Sequence, residues 1–167
     1  PAVATGLNTD WQKEVLRSNA FQQDHIISLS GSTPQTGYYF SVGYSDQEGV
    51  TIPNDMSRFT FRANVDQKVT KAITFGAGAN LARTQYNGQN TGENSLSGNV
   101  FSAIRQLPNT PVYNPDHPTG YNIDLVNPQL VGRWENLQTI DDNLPNIMYT
   151  LKNNVYGSKV NRGTLSF

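Results

Sequence analysis

The chain has 167 residues, long enough for one domain with a sizeable core, yet only 36% of them are hydrophobic and 15% charged, both below the usual share. Asn, Gln, Ser, Thr and Gly fill the gap, with 19 Asn in all, while 10% aromatic residues set the chain apart from a disordered tail. A net charge of −1 removes any whole-chain attraction to nucleic acid or to an anionic lipid surface, and zero Cys excludes thiol catalysis, Cys-ligated metals and disulfides.

No run of 18 apolar residues is present, so no helix is expected to span a membrane. A barrel is untouched by that test, because its strands show only a weak alternation over about ten residues. The chain opens at Pro1 without an initiator Met or a signal peptide and stops within a strand-like run, Gly163-Thr-Leu-Ser-Phe167, which reads as a piece of a longer protein.

In chain order, residues 1–24 form a lead-in segment. Within it Asp10 can cap a short helix over Trp11 to Arg17, with Trp11, Val15 and Leu16 near one face, a docking turn at most. From His25 the period becomes two. Ile27 and Leu29 alternate with Ser28 and Ser30, and the stretch from Gly31 to Gly37, with Pro34 inside it, predicts a turn. Tyr38, Phe40, Val42 and Tyr44 then share one face, followed by a loop over 46–57. A third strand sends Phe59, Phe61, Ala63 and Val65 one way and Arg58, Thr60, Arg62, Asn64 and Asp66 the other; a fourth sends Ile73, Phe75, Ala77, Ala79 and Leu81 to one side.

Residues 25–84 are thus expected to be four antiparallel strands of an all-β meander, with residues 85–160 a long loop and 161–167 the start of a further strand. Within the loop, Val100, Phe101, Ile104 and Leu107 have helical spacing before Pro108, a Pro-rich stretch follows to Pro118, and 127–134 has the look of a second short helix. Ser, Gly, Thr and Asn dominate the polar strand faces, where a soluble sheet would carry Lys and Glu. An apolar outer band, a small polar lining and aromatics near strand ends fit part of a transmembrane barrel wall, with short turns at one rim and long loops at the other.

The ordered series of Thr9 to Arg17, Ile27 to Ser32, Tyr38 to Tyr44 with Asp46-Gln-Glu-Gly49, and Arg58 to Asp66 resembles the start of the barrel in the SusC/RagA family of TonB-linked outer-membrane transporters of Bacteroidetes. The resemblance runs on through Lys71 to Leu81, returns at Phe101 to Arg105 and Pro111 to Asp116, and thins after about Asn127. It implies a plugged barrel of the roughly 22-stranded class that imports oligosaccharides or peptides across the outer membrane. Energy would come from TonB through parts of the parent absent here, and a SusD-like surface lipoprotein would act as a lid.

On that reading Arg58, Arg62, Asn64 and Asp66 face the lumen, as cross-strand pairs ordering the wall or as contacts to substrate or plug. Phe101, Ile104, Tyr113, Tyr121 and Trp134 are the loop residues expected to meet a partner or ligand. The alternatives are a soluble carbohydrate-binding β-sandwich, with Tyr86, Tyr113, Tyr121 and Trp134 stacking on sugars, and a surface adhesin module. No cofactor fingerprint or catalytic motif is present, His25 and His117 lack zinc-site spacing, and Glu48, Glu93 and Glu135 lie in loops. The loop oxygens of Asn114, Asp116, Asp124, Asp141 and Asp142 miss the EF-hand spacing.

Overall fold

The computed structural model describes residues 6–88, 99–128, 130–132, 144–153 and 156–167. They fall into two compact units. One is a sheet drawn from Ala20–Glu48, Asp55–Asn87 and Gly157–Phe167; the other collects Pro1–Asn19, Gly49–Asn54 and Gly88–Tyr156.

The sheet is a five-stranded antiparallel meander in the order β1 (Gln22–Ser32), β2 (Thr36–Glu48), β3 (Asp55–Lys68), β4 (Thr74–Asn87) and β5 (Gly157–Ser166). The alternation of aromatic and β-branched residues with small polar ones fixes the register, because a slip of one residue would exchange the two faces. On one face Ile27, Val42, Phe61, Leu81 and Gly163 form a row, and Leu29, Phe40, Ala63, Ala79 and Leu165 form the next. Tyr44 and Phe59 close this band at one end, with His25 and Arg83 beside them; Tyr38 and Val65, then Phe75 opposite Gln67, close it at the other. Gly31 is needed here, since the ring of Tyr38 occupies the space a Cβ on that residue would fill.

Beyond Tyr44 and Phe59 the same face turns polar in a single row, Gln23, Asp46, Ser57, Gln85 and Lys159. β5 begins at Gly157, within the stretch expected to be loop, because Lys159 and Asn161 continue the pairing with Gln85 and Arg83.

The second unit holds the buried core. Helix α1 (Trp11–Val15), capped by Asp10 Oδ1 accepting from the Lys13 N–H at 3.1 Å, inserts Trp11 and Val15 among Ala103, Val112, Val131, Leu144, Ile147 and Leu151. The Trp11 indole N–H donates to the Thr110 carbonyl at 2.9 Å, and the Thr9 N–H donates to the Pro108 carbonyl at 2.7 Å. The lead-in segment is therefore a structural part of a loop unit that starts 80 or so residues later, a stronger role than a docking turn. The 49–54 connection joins through Leu16 bridged to Thr51, with the Ile52 N–H donating to the Val15 carbonyl at 2.9 Å and the Arg17 guanidinium to the carbonyls of Gly49 and Asn54 at 2.8 and 2.9 Å.

Helix α2 (Asn99–Arg105) lies where helical spacing placed it; Ser102, Ala103 and Gln106 are buried on it, while Phe101 and Ile104 are exposed. The side chain of Val100 lies outside the described residues. The second loop helix is α3 (Ile147–Asn153) and not 127–134, whose described part holds a turn and the bridge of Ile123 to Val131; the rest of that stretch lies outside the described residues. Asn146 starts α3, accepting from the Tyr149 N–H at 3.3 Å, and its fully buried side-chain amide donates to the carbonyls of Val112 and Asn122 at 2.8 and 2.9 Å. In turn the Asn122 amide donates to Pro111 and Gly132, so side-chain amides do the work that a ladder does in a sheet.

Trp11→Ala should destabilise the loop unit by about 3–5 kcal/mol through the cavity left in its core. Trp11→Phe should cost about 1–3 kcal/mol, because a buried Thr110 carbonyl loses its donor. Hydrogen exchange at 110–112 and 147–151 in the full-length protein checks both, and unchanged protection in Trp11→Ala would contradict the packing described.

Candidate functional site

Arg58, Arg62, Asn64 and Asp66 share the polar face of β3, as alternation dictates. All four are exposed. The Arg62 Nε–H donates to Asn80 Oδ1, its cross-strand neighbour on β4, at 2.9 Å. Asn64 sits opposite Tyr39 and Gly78, and Asp66 opposite Gly37 and Gly76, toward the short turns. The structure brings Arg58 and Arg62 together with a third cation, Arg162 on β5, around a shallow depression that Tyr39, Asn80 and Thr164 also line. Arg162 lies in the run from 161 expected to be strand but was not singled out as a site residue; its signal is the parity it shares with Thr164 and Ser166.

In the loop unit Phe101 is 53% and Ile104 59% exposed, and the Arg105 guanidinium lies 5.4 Å from the centre of the Phe101 ring. Tyr113 and Tyr121 are bridged backbone to backbone, with ring centres 5.3 Å apart. Tyr149, which sequence reasoning missed, meets Tyr121 edge-on at 5.6 Å, and Lys152 Nζ lies 5.5 Å from the same ring. Tyr121 packs against the core, whereas Tyr113 keeps about half its surface open. Trp134 lies outside the described residues, as do Glu93, Glu135, Asp141 and Asp142. Burial, then the charge of Glu14 together with Tyr121, push the Tyr113 phenol above its usual range. Tyr113 therefore stays protonated, and a hydrogen-bond donor, across physiological pH. Among the described residues no group of three or more His, Asp or Glu gathers to hold a metal ion.

The chain is 32% identical over 113 residues to TonB-dependent receptor P3 of Formosa agariphila, a match covering 65% of this chain and 11% of the relative. It is 29% identical over 152 residues to TonB-dependent receptor P26 of the same organism, covering 90% of this chain and 14% of the relative. TonB-dependent receptor SusC of Bacteroides thetaiotaomicron is 26% identical over 140 residues, covering 83% and 13%. The chain resembles SusC-like TonB-dependent receptors. It matches only about an eighth of the length of these curated relatives, all of which are named as receptors and none as an enzyme. No protein-family model matches the SusC-like chain.

Replacing Glu14 by Gln should lower the Tyr113 phenol from its raised value while leaving it above the ordinary one, since burial remains the larger cause. Ultraviolet titration of a variant retaining Tyr113 as the reporter would register the change, and an unmoved titration would contradict the contact. Because the folded state holds this proton more tightly than the unfolded chain does, the associated stability is present below about pH 10 and is lost as pH rises beyond it.

Proposed function

We propose that this SusC-like chain supplies part of the wall and one extracellular loop unit of a TonB-dependent outer-membrane importer of oligosaccharides or peptides. The observation that carries the reading is the apolar band on one face of a single open sheet. Ile27 is 79%, Phe40 38%, Phe59 47% and Leu81 47% exposed, on a face bounded at both ends by aromatic rows. From the row of Tyr44 to that of Phe75 is about 27 Å along a strand, or roughly 20 Å of height at a tilt near 40°, close to the band of an outer-membrane barrel. Lipid is the solvent such a face requires, and β2, β3 and β4, at 13, 14 and 14 residues, exceed the 9–11 or so that a bilayer takes. The surplus is the polar row from Gln23 to Lys159, on the side of the long connections, which favours placing that rim outside the cell. A soluble sandwich needs a second sheet over the apolar face, and the described residues form one sheet.

The loop unit is the reading's second part. Phe101, Ile104 and Tyr113 stand exposed on a unit whose core is already filled, so they are free to meet a SusD-like lid lipoprotein. Loop proline residues limit the entropy lost on docking. The polar face of the sheet, with Arg58, Arg62, Asn64 and Asp66, would line the lumen.

A protease site inserted after Val126, itself 95% exposed, should be cut on intact cells expressing the full transporter, and one inserted at Gln35 should be protected. The reverse pattern would invert the topology. Adding the lid lipoprotein should slow hydrogen exchange over 101–107, and Phe101→Ala with Tyr113→Ala should weaken the complex by tenfold or more, as for paired aromatic anchors. Unchanged exchange and affinity would leave the loop as self-contained architecture.

A further inference from the structure

We infer that Arg58, Arg62 and Arg162 form an anion subsite on the polar face of the sheet, selecting an oligosaccharide that carries sulfate or carboxylate groups. This rests on the import reading above and adds the substrate's charge to it. Arg58 and Arg62 are four residues apart on β3, about 13 Å along the strand. Arg162 lies two strands over, opposite Ala82, which is itself opposite Thr60 between the two. All three arginines line one depression.

Register places the nearest acids away from it. The row of Arg62 runs Ser28, Ser41, Arg62, Asn80, Thr164, and that of Arg162 runs Ile26, Gly43, Thr60, Ala82, Arg162, neither with a carboxylate. Asp24, on the far strand in the row of Arg58, lines a neighbouring depression with Arg58 and not the one shared with Arg62 and Arg162, and Asp66 stands two rows beyond Arg62. A sulfate or carboxylate placed among the three cations gains attraction from each of them. The geometry of Arg62 suits the task. Its Nε–H is held by Asn80 at 2.9 Å, which orients the plane and leaves the two terminal nitrogens to meet a sulfate or carboxylate in the two-pronged way guanidinium favours.

The neighbours argue for a sugar carrying the anion. Ser41, Thr60 and Thr164 offer hydroxyl groups, Asn80 an amide, and Tyr39 an aromatic face beside them. Small residues at Gly43, Gly78 and Ala82 keep the surrounding wall low, so the longer side chains rise from it.

The test uses the full-length transporter purified in detergent, with short dextran sulfate and unsulfated dextran of equal length as probes. Wild type should prefer the sulfated probe by tenfold or more at low salt, and the preference should shrink as salt is raised. Arg62→Gln with Arg162→Gln should bring the ratio of affinities close to one, Arg62→Lys should lower it partway, and Arg83→Gln, on the opposite face, should leave it unchanged. A wild-type protein that binds both probes alike overturns the subsite and leaves import standing. Loss of both probes together in the double variant also overturns it, the arginines then ordering the wall or holding the transporter's own plug. A wild-type protein that binds neither probe removes the import reading for glycans and the subsite with it.

Discussion

A single sheet with one apolar face has to find something other than water to cover that face, and everything else in this chain is arranged around that requirement. Each large residue on the band removes roughly 1.5–3 kcal/mol when transferred out of water. A dozen of them in contiguous rows make a patch far beyond what monomeric soluble proteins expose. The opposite face carries Ser, Gly, Thr and Asn with a few arginines, so it accepts water without a packed partner. On the proposed reading, the two faces partition lipid from an aqueous lumen.

The same requirement explains where the core is. Among the described residues, every member of the buried apolar cluster belongs to the loop unit and none to the sheet. A single sheet layer, with both faces uncovered among the described residues, has no interior of its own. The loop unit, in contrast, must fold by ordinary burial in water, and it does so with few hydrophobic residues by recruiting α1 from the start of the chain. Buried polar groups tie the irregular backbone together: Asn146 and Asn122 each bond two carbonyls from separate segments, and Trp11 bonds the carbonyl of Thr110. That use of side-chain amides gives the high Asn content of the sequence a structural purpose in this unit.

The parts legible in the sequence are those governed by local periodicity. Alternation over Tyr38 to Tyr44, Phe59 to Val65 and Phe75 to Leu81 specifies strands and faces at once, because both follow from the pleat. Arg58 and Arg62 therefore lie on the face that alternation assigned. The docking of Trp11 has no local signature, since its hydrogen-bond partner is 99 residues away. Helical spacing marks helix α2 but not its inward side, which carries Ser102, Ala103 and Gln106, while Phe101 and Ile104 stay exposed. Helix α3 escaped notice because Pro145 and Asn146 read as loop until the Asn146 side chain is seen capping it. Arg162 falls in the run from 161 expected to be strand, yet its place beside Arg58 and Arg62 depends on the pairing of β5 with β4, which no local pattern reveals.

Spin labels placed singly at Phe61 and Arg62 in the full transporter, reconstituted in lipid, test the central claim most directly. These neighbours point to opposite faces of β3. The label at 61 should be quenched by oxygen dissolved in the bilayer and shielded from a water-soluble nickel complex, and the label at 62 should show the opposite preference. Equal accessibility of both labels to both quenchers would contradict a lipid-facing wall.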